Sequence, residues 1–252
     1  VDDYAMTDLV RNEGESRKDA TVKLLVTGCP RSGTKYAATL LQELGLDVRH
    51  EQLGRDGISS WCLAVDAGAV PWGPPRRDLT FRTTIHQVRN PIDVIPSLST
   101  LRTQSWQFAG LHTSCSLDEP LLLRSAKLWT QWNLHAQALA SWRYRVEDLP
   151  SVLDGLCQRL SVECDHGALH RCGPNVNSRA YDGIAQACRA ACELFGADAP
   201  RFLRAHFVNR KAYERAGAFS WDKLRDLDRD ACEQVLALAA DYGYSRSELM
   251  LA

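Results

Sequence analysis

The chain has 252 residues, a formal net charge of −1 and an apolar fraction of 45%, enough to bury the core of one large α/β domain. A near-neutral balance removes bulk attraction to nucleic acid or an anionic membrane, so any anion site must be local. No apolar run approaches the roughly 20 residues that span a bilayer, no basic-then-apolar export signal opens the sequence, and the nine cysteines are scattered and odd in number, unlike a disulfide scaffold.

These features predict a cytoplasmic protein with mostly reduced, buried thiols. Residues 1–20 read as a flexible polar arm ahead of a single domain over 21–252. Val22–Thr27 is a short apolar, β-branched run of the kind that forms a buried strand. A loop, Gly28–Gly33, leads into Thr34–Leu44, where Ala37, Ala38, Leu40, Leu41 and Leu44 fall at helical spacing and Gly45 supplies a stop. Leu46–His50 reads as a second strand, completing a βαβ unit of a parallel sheet. In the following Gly/Pro-rich stretch, Ile58–Val65 reads as helical.

Phe81–Val88 is the next predicted strand. It stops at Arg89, and Asn90-Pro91 supplies an N-cap and a first-turn proline for a helix that Pro96 should kink or loosen. Pro120–Ala140 is the longest helical stretch, followed by a strand at Trp142–Val146 and a helix at Glu147–Leu160. From 161 to 177 the pattern is irregular. Two helices are predicted within 179–206, and an amphipathic closing helix at Asp230–Tyr242, with Asp230 and Glu233 as a capping box and Gly243 as the stop. The expected fold is a three-layer α/β sandwich around a central parallel sheet, P-loop-like, with a helical C-terminal third.

The loop Thr27-Gly28-Cys29-Pro30-Arg31-Ser32-Gly33-Thr34 sits where a strand feeds a helix, and helix N-termini favour bound phosphate or sulfate. Gly33 permits close backbone approach, Arg31 adds charge, and Ser32, Thr34 and Lys35 add donors. The plainer reading is a strand–helix turn with an exposed arginine. A Walker A loop places lysine directly after its second glycine. Here the order is Gly33-Thr34-Lys35, and the strand ending Gln87-Val88-Arg89 carries no terminal aspartate for magnesium. Arg89, with Ser97 on the helix that follows, makes a second strand-end anion site, whose plainer reading is a capped helix with an ion-paired arginine. Two such sites suit a ligand with two separated phosphate groups.

With both motifs in order, the sequence resembles the family of sulfotransferases that use 3′-phosphoadenosine-5′-phosphosulfate (PAPS). Pro30-Arg31-Ser32-Gly33-Thr34 is similar to the family's 5′-phosphosulfate loop, and Arg89-Asn90-Pro91 with Ser97 to its 3′-phosphate element. Tyr144–Leu149 resembles a "YEDL"-type strand end, and Ser220–Leu224 a tail segment of bacterial members. Two departures stand out: Lys35 replaces a threonine of the family loop, and Val146 stands where several relatives carry a tyrosine near adenine. The resemblance implies transfer of a sulfuryl group from PAPS, with PAP as product, to a hydroxyl of a small-molecule, saccharide or peptide acceptor. Arg31 and Ser32 would stabilise the leaving phosphate and the transferring group, and Gly33, Thr34 and Lys35 complete the cofactor loop. Arg89 and Ser97 would hold the 3′-phosphate.

An acceptor hydroxyl needs a base. Glu51 is the candidate, because it follows the second strand on the carboxyl edge where ligands gather in open α/β folds; His50 is the alternative, and His86, inside a strand, reads as structural. A divergent P-loop kinase and a non-catalytic PAPS- or PAP-binding protein are the competing functions. Cys164, His166, His170 and Cys172 form C-x-H-x3-H-x-C, which matches no common zinc spacing, and no metal is expected. Trp61 and Trp106 could line an acceptor cleft or anchor loops to the core. Arg76-Arg77 read as solvated surface, and Arg210-Lys211 as a basic late loop.

Overall fold

A computed structural model describes residues 21–172 and 219–250. Five strands, β1 (Thr21–Thr27), β2 (Val48–His50), β3 (Gly57–Ser59), β4 (Thr80–Val88) and β5 (Trp142–Arg145), form one sheet in the order β2-β3-β1-β4-β5. Every pairing is parallel. The helices are α1 (Thr34–Glu43), α2 (Pro91–Leu98), α3 (Thr103–His112), α4 (Leu121–Leu139), α5 (Leu149–Leu160), α6 (Gly167–Cys172), α7 (Trp221–Leu227), α8 (Arg229–Asp241) and α9 (Arg246–Met250).

Alternation along the strands sends successive side chains into two different layers. Leu24, Val26, Ile85 and Tyr144 pack with Leu40 and Leu41 of α1, Leu153 and Leu156 of α5, and Ala168 of α6. On the opposite face, Val88 joins the larger core made by α2, α4, α7 and α8, centred on the fully buried Trp129 and Trp132. Leu25, Ile58 and Leu63 fill a smaller pocket of core on the β3 side. The result is the expected three-layer sandwich, and the described parts of the C-terminal third are helical.

Several elements depart from the sequence reading. Ile58–Val65 is not a helix: its start belongs to β3, and only a single 3-10 turn forms, at Cys62–Ala64. The run is buried on all sides, so it carries no periodicity by which strand and helix differ. Gly57 permits the strand, because a Cβ there would lie 2.2 Å from Leu24 O on β1. β3 thus inserts between β2 and β1, which are not neighbours. Helix α3 occupies a segment with no clear apolar face. The irregular stretch after α5 contains the short α6. Helix α8 starts ahead of the predicted cap, because Asp228 adopts extended backbone (φ −162°, ψ 106°) and its carboxylate accepts from Ala231 N at 2.9 Å. Gly243 (φ 86°) does end that helix. Pro96 lies inside α2, which closes two residues later through short-range bonds from Ser99 N to Pro96 O and Thr100 N to Ser97 O.

The arm at 1–20, the helices predicted within 179–206, and Arg210-Lys211 lie outside the described residues. Among the described residues no helix is long and apolar enough to cross a membrane.

Candidate anion-binding and proton-transfer site

The chain leaves β1 through α1 toward β2 on one side of the sheet, and leaves β4 through α2–α4 toward β5 on the other. β1 and β4 are neighbours, with Thr27 opposite His86, so their two exit loops part at a topological switch point, where open α/β sheets bind ligands.

The first loop begins with a tight turn. Ser32 N donates to Cys29 O at 3.1 Å, and the turn between them carries Pro30 and then Arg31 at φ 70°. Proline second and a left-handed residue third is the type II pattern, in which the third position normally belongs to glycine. An arginine there costs on the order of 1–2 kcal/mol of backbone strain. Gly33, also left-handed at φ 97°, then starts α1. Gly28 is pressed against the neighbouring strand: a Cβ would lie 2.2 Å from Gln87 O. Arg31 is exposed and reaches the turn just past the C-terminal end of α2, donating to Thr100 O at 3.1 Å. Ser32 is buried, and its Oγ has no hydrogen-bond partner among the described residues. Lys35 is exposed on the first turn of α1.

At the second loop, Asn90 caps α2, its side chain accepting from Ile92 N at 3.1 Å. Arg89 is partly exposed and makes a long 3.4 Å contact with Asp93. Ser97 is half-buried on the last turn of α2, two turns from the cap.

Four residues to which the sequence reading assigns no role build this frame. Gln87, fully buried at the end of β4, donates to Ser32 O at 2.6 Å and accepts from Tyr144 OH at 2.5 Å. Glu147 accepts from Asn90 N and from Tyr244 OH, each at 2.9 Å, and so clamps the second loop to the C-terminal segment. Tyr144 and Glu147 belong to the strand-end motif, which gives them no role; Gln87 and Tyr244 carry no local signal.

Glu51 terminates β2 with φ 55°, a second strained non-glycine residue. Its N–H donates to Ser59 O, and its Oε2 accepts from Ser60 Oγ at 2.5 Å. The carboxylate is largely buried. Burial pushes its pKa up to about 7, against hydrogen bonds from Ser60 and the Trp61 backbone that pull it down. His50 Nε2 lies 3.7 Å from Glu51 Oε1 and 3.2 Å from Thr34 Oγ1. Burial first, and then the charge of Lys35, lower the His50 pKa to about 4. His50 is therefore neutral at pH 7, and its contact with Glu51 is not an ion pair. Ser59 Oγ donates to Thr34 O at 2.7 Å, which joins β3 to the first residue of α1. The structure thus links Thr34, His50 and Glu51 in one chain of contacts.

His86 is structural: it is buried, contacts Asn133 Oδ1 at 3.0 Å and stacks edge-on with Tyr242. Trp61 and Trp106 are core residues, Trp61 packing on Phe108 and Trp132. Of the Cys/His run, Cys164 and His166 gather beside Asp154, whereas Cys172 is buried in the core under α1.

No protein-family model matches the chain, and no curated protein does. Among solved structures, mouse sulfotransferase SULT7A1 complexed with PAP is similar at 12% identity over 89% of this chain and 90% of that chain, with a TM-score of 0.35. A similarity that loose carries no functional argument, which rests on the residues of the two loops and of β2 and β3.

Proposed function

We propose that this chain is a PAPS-dependent sulfotransferase acting on a hydroxyl of a small-molecule, saccharide or peptide acceptor. The observation that carries the reading is the pairing, at one switch point, of two strand-to-helix loops that each bring an arginine, beside a buried carboxyl poised near neutrality. The residues fit such a ligand. Ser32 Oγ is a buried hydroxyl without a partner among the described residues, Gly28 lets the loop lie directly against β4, and Gly33 takes the left-handed backbone that starts α1. A nucleotide-hydrolysing enzyme fits less well, because neither strand flanking β1 ends in an aspartate: β3 runs into Ser59-Ser60 and β4 into Val88-Arg89.

Bound PAPS would supply the activated sulfuryl group. Glu51, ionised above about pH 7, would take the proton of the acceptor hydroxyl as its oxygen bonds sulfur. Arg31, Ser32 and the N-terminal N–H groups of α1 would hold the charge that collects on the departing 5′-phosphate as its bond to sulfur breaks. Thr34 and Lys35 would complete that cradle, and Arg89 and Ser97 would set the register by holding the 3′-phosphate.

The test is a thermal-shift titration with PAP, run beside ATP plus magnesium. Ligand at 100 times its dissociation constant stabilises a fold by about 2.7 kcal/mol. The expected result is a shift with PAP alone, weakened about 10- to 100-fold in Arg89→Ala by loss of a charge-assisted contact. A shift only with ATP and magnesium would replace the reading by a kinase. Silence from both would remove it.

A further inference from the structure

Two consecutive serines at the end of β3 reach different parts of the site. Ser59 Oγ donates to Thr34 O, the first residue of the helix that follows the phosphate loop. Ser60 is fully buried, and its N–H donates to Val26 O at 2.9 Å, which fixes its main chain to β1, the strand that feeds that loop. Its Oγ donates to Glu51 Oε2 at 2.5 Å. Glu51 Oε1 is buried without a hydrogen bond among the described residues and faces His50 Nε2.

We infer that Ser60 is the positioning residue of the proton acceptor: it commits Glu51 Oε2 and ties the carboxylate to the strand end that also holds the phosphate loop. The inference deepens the sulfotransfer reading and rests on it. A hydroxyl donating to a carboxylate favours the ionised form, and so opposes the burial that disfavours it. Among the described residues the groups facing this carboxyl are few. His50 precedes it at the end of β2, Ser60 lies just past β3, and the Cys62 thiol lies on the following 3-10 turn, raised by burial first and then by Glu51 itself. Lys35 acts on His50.

The test is a carbon-13 NMR titration of the Glu51 carboxyl in wild type, Ser60→Ala and Ser60→Thr, followed by the pH profile of PAPS turnover for the same three proteins. In Ser60→Ala the Glu51 midpoint should rise by about one pH unit, and the acid limb of turnover should move up with it. Ser60→Thr, which keeps the hydroxyl, should restore both. An unchanged midpoint in a folded Ser60→Ala overturns the inference, and so does a midpoint that moves while the turnover limb stays in place. The carboxyl titration needs no PAPS, so it decides the Ser60–Glu51 coupling even for a wild type that turns over none. Absent turnover is instead the failure of the sulfotransfer reading.

Discussion

Gln87 Nε2 donates to the carbonyl of Ser32 at 2.6 Å, so a fully buried amide on β4 holds the loop that leaves β1. The same amide accepts from Tyr144 on β5, and the three strands that frame the switch point are thereby stitched across their ends.

Gln87→Leu keeps much of the volume but strands a buried carbonyl and a buried phenol. Each unpaired group costs about 1–3 kcal/mol. Urea unfolding should show that loss, and Tyr144→Phe, which removes only one donor, should cost less. PAP affinity should fall in Gln87→Leu, because the loop loses the contact that fixes it.

Arg31 occupies a turn position suited to glycine, with φ 70°. Arg31→Gly should therefore unfold at the same or a higher temperature than wild type, since about 1 kcal/mol of strain is relieved. PAP binding should nevertheless weaken at least 10-fold. A protein that loses both stability and binding would show that the arginine is placed there for packing rather than for its charge.

Glu51 and His86 give stability opposite slopes in pH. The folded-state pKa of Glu51 is raised to about 7 from an ordinary 4.5, so its favourable contribution is complete below pH 4.5 and is lost as pH rises through 7. His86 is lowered by burial to about 4 from 6.5, so its contribution is present above pH 6.5 and lost as pH falls through 4. Glu51→Gln cannot ionise. Urea unfolding at pH 5 and pH 8 should show this variant gaining on wild type at the higher pH, by an amount on the order of 3 kcal/mol. An equal difference at both values would mean that the carboxyl titrates normally.

What the sequence by itself determined is what local spacing encodes. Val22–Thr27 and Phe81–Val88 are long enough to read as strands, the apolar positions of Thr34–Leu44 repeat at helical period, and Gly28-Cys29-Pro30-Arg31-Ser32-Gly33 announces a turn before a helix. The chemistry of both loops follows from residues next to one another in the chain. Tertiary structure alone decided how those loops are held. β3 has only three residues, too few to express a period, and its place between β2 and β1 depends on a close approach at Gly57. Gln87 meets Ser32 across 55 residues and Tyr244 meets Glu147 across 97, through single side chains with no pattern around them. Ser60 reaches Glu51 because parallel pairing of β2 with β3 brings the ends of both strands to the same edge. Pairing register and burial, not composition, push up the pKa of the carboxylate that the sequence offers as the candidate base.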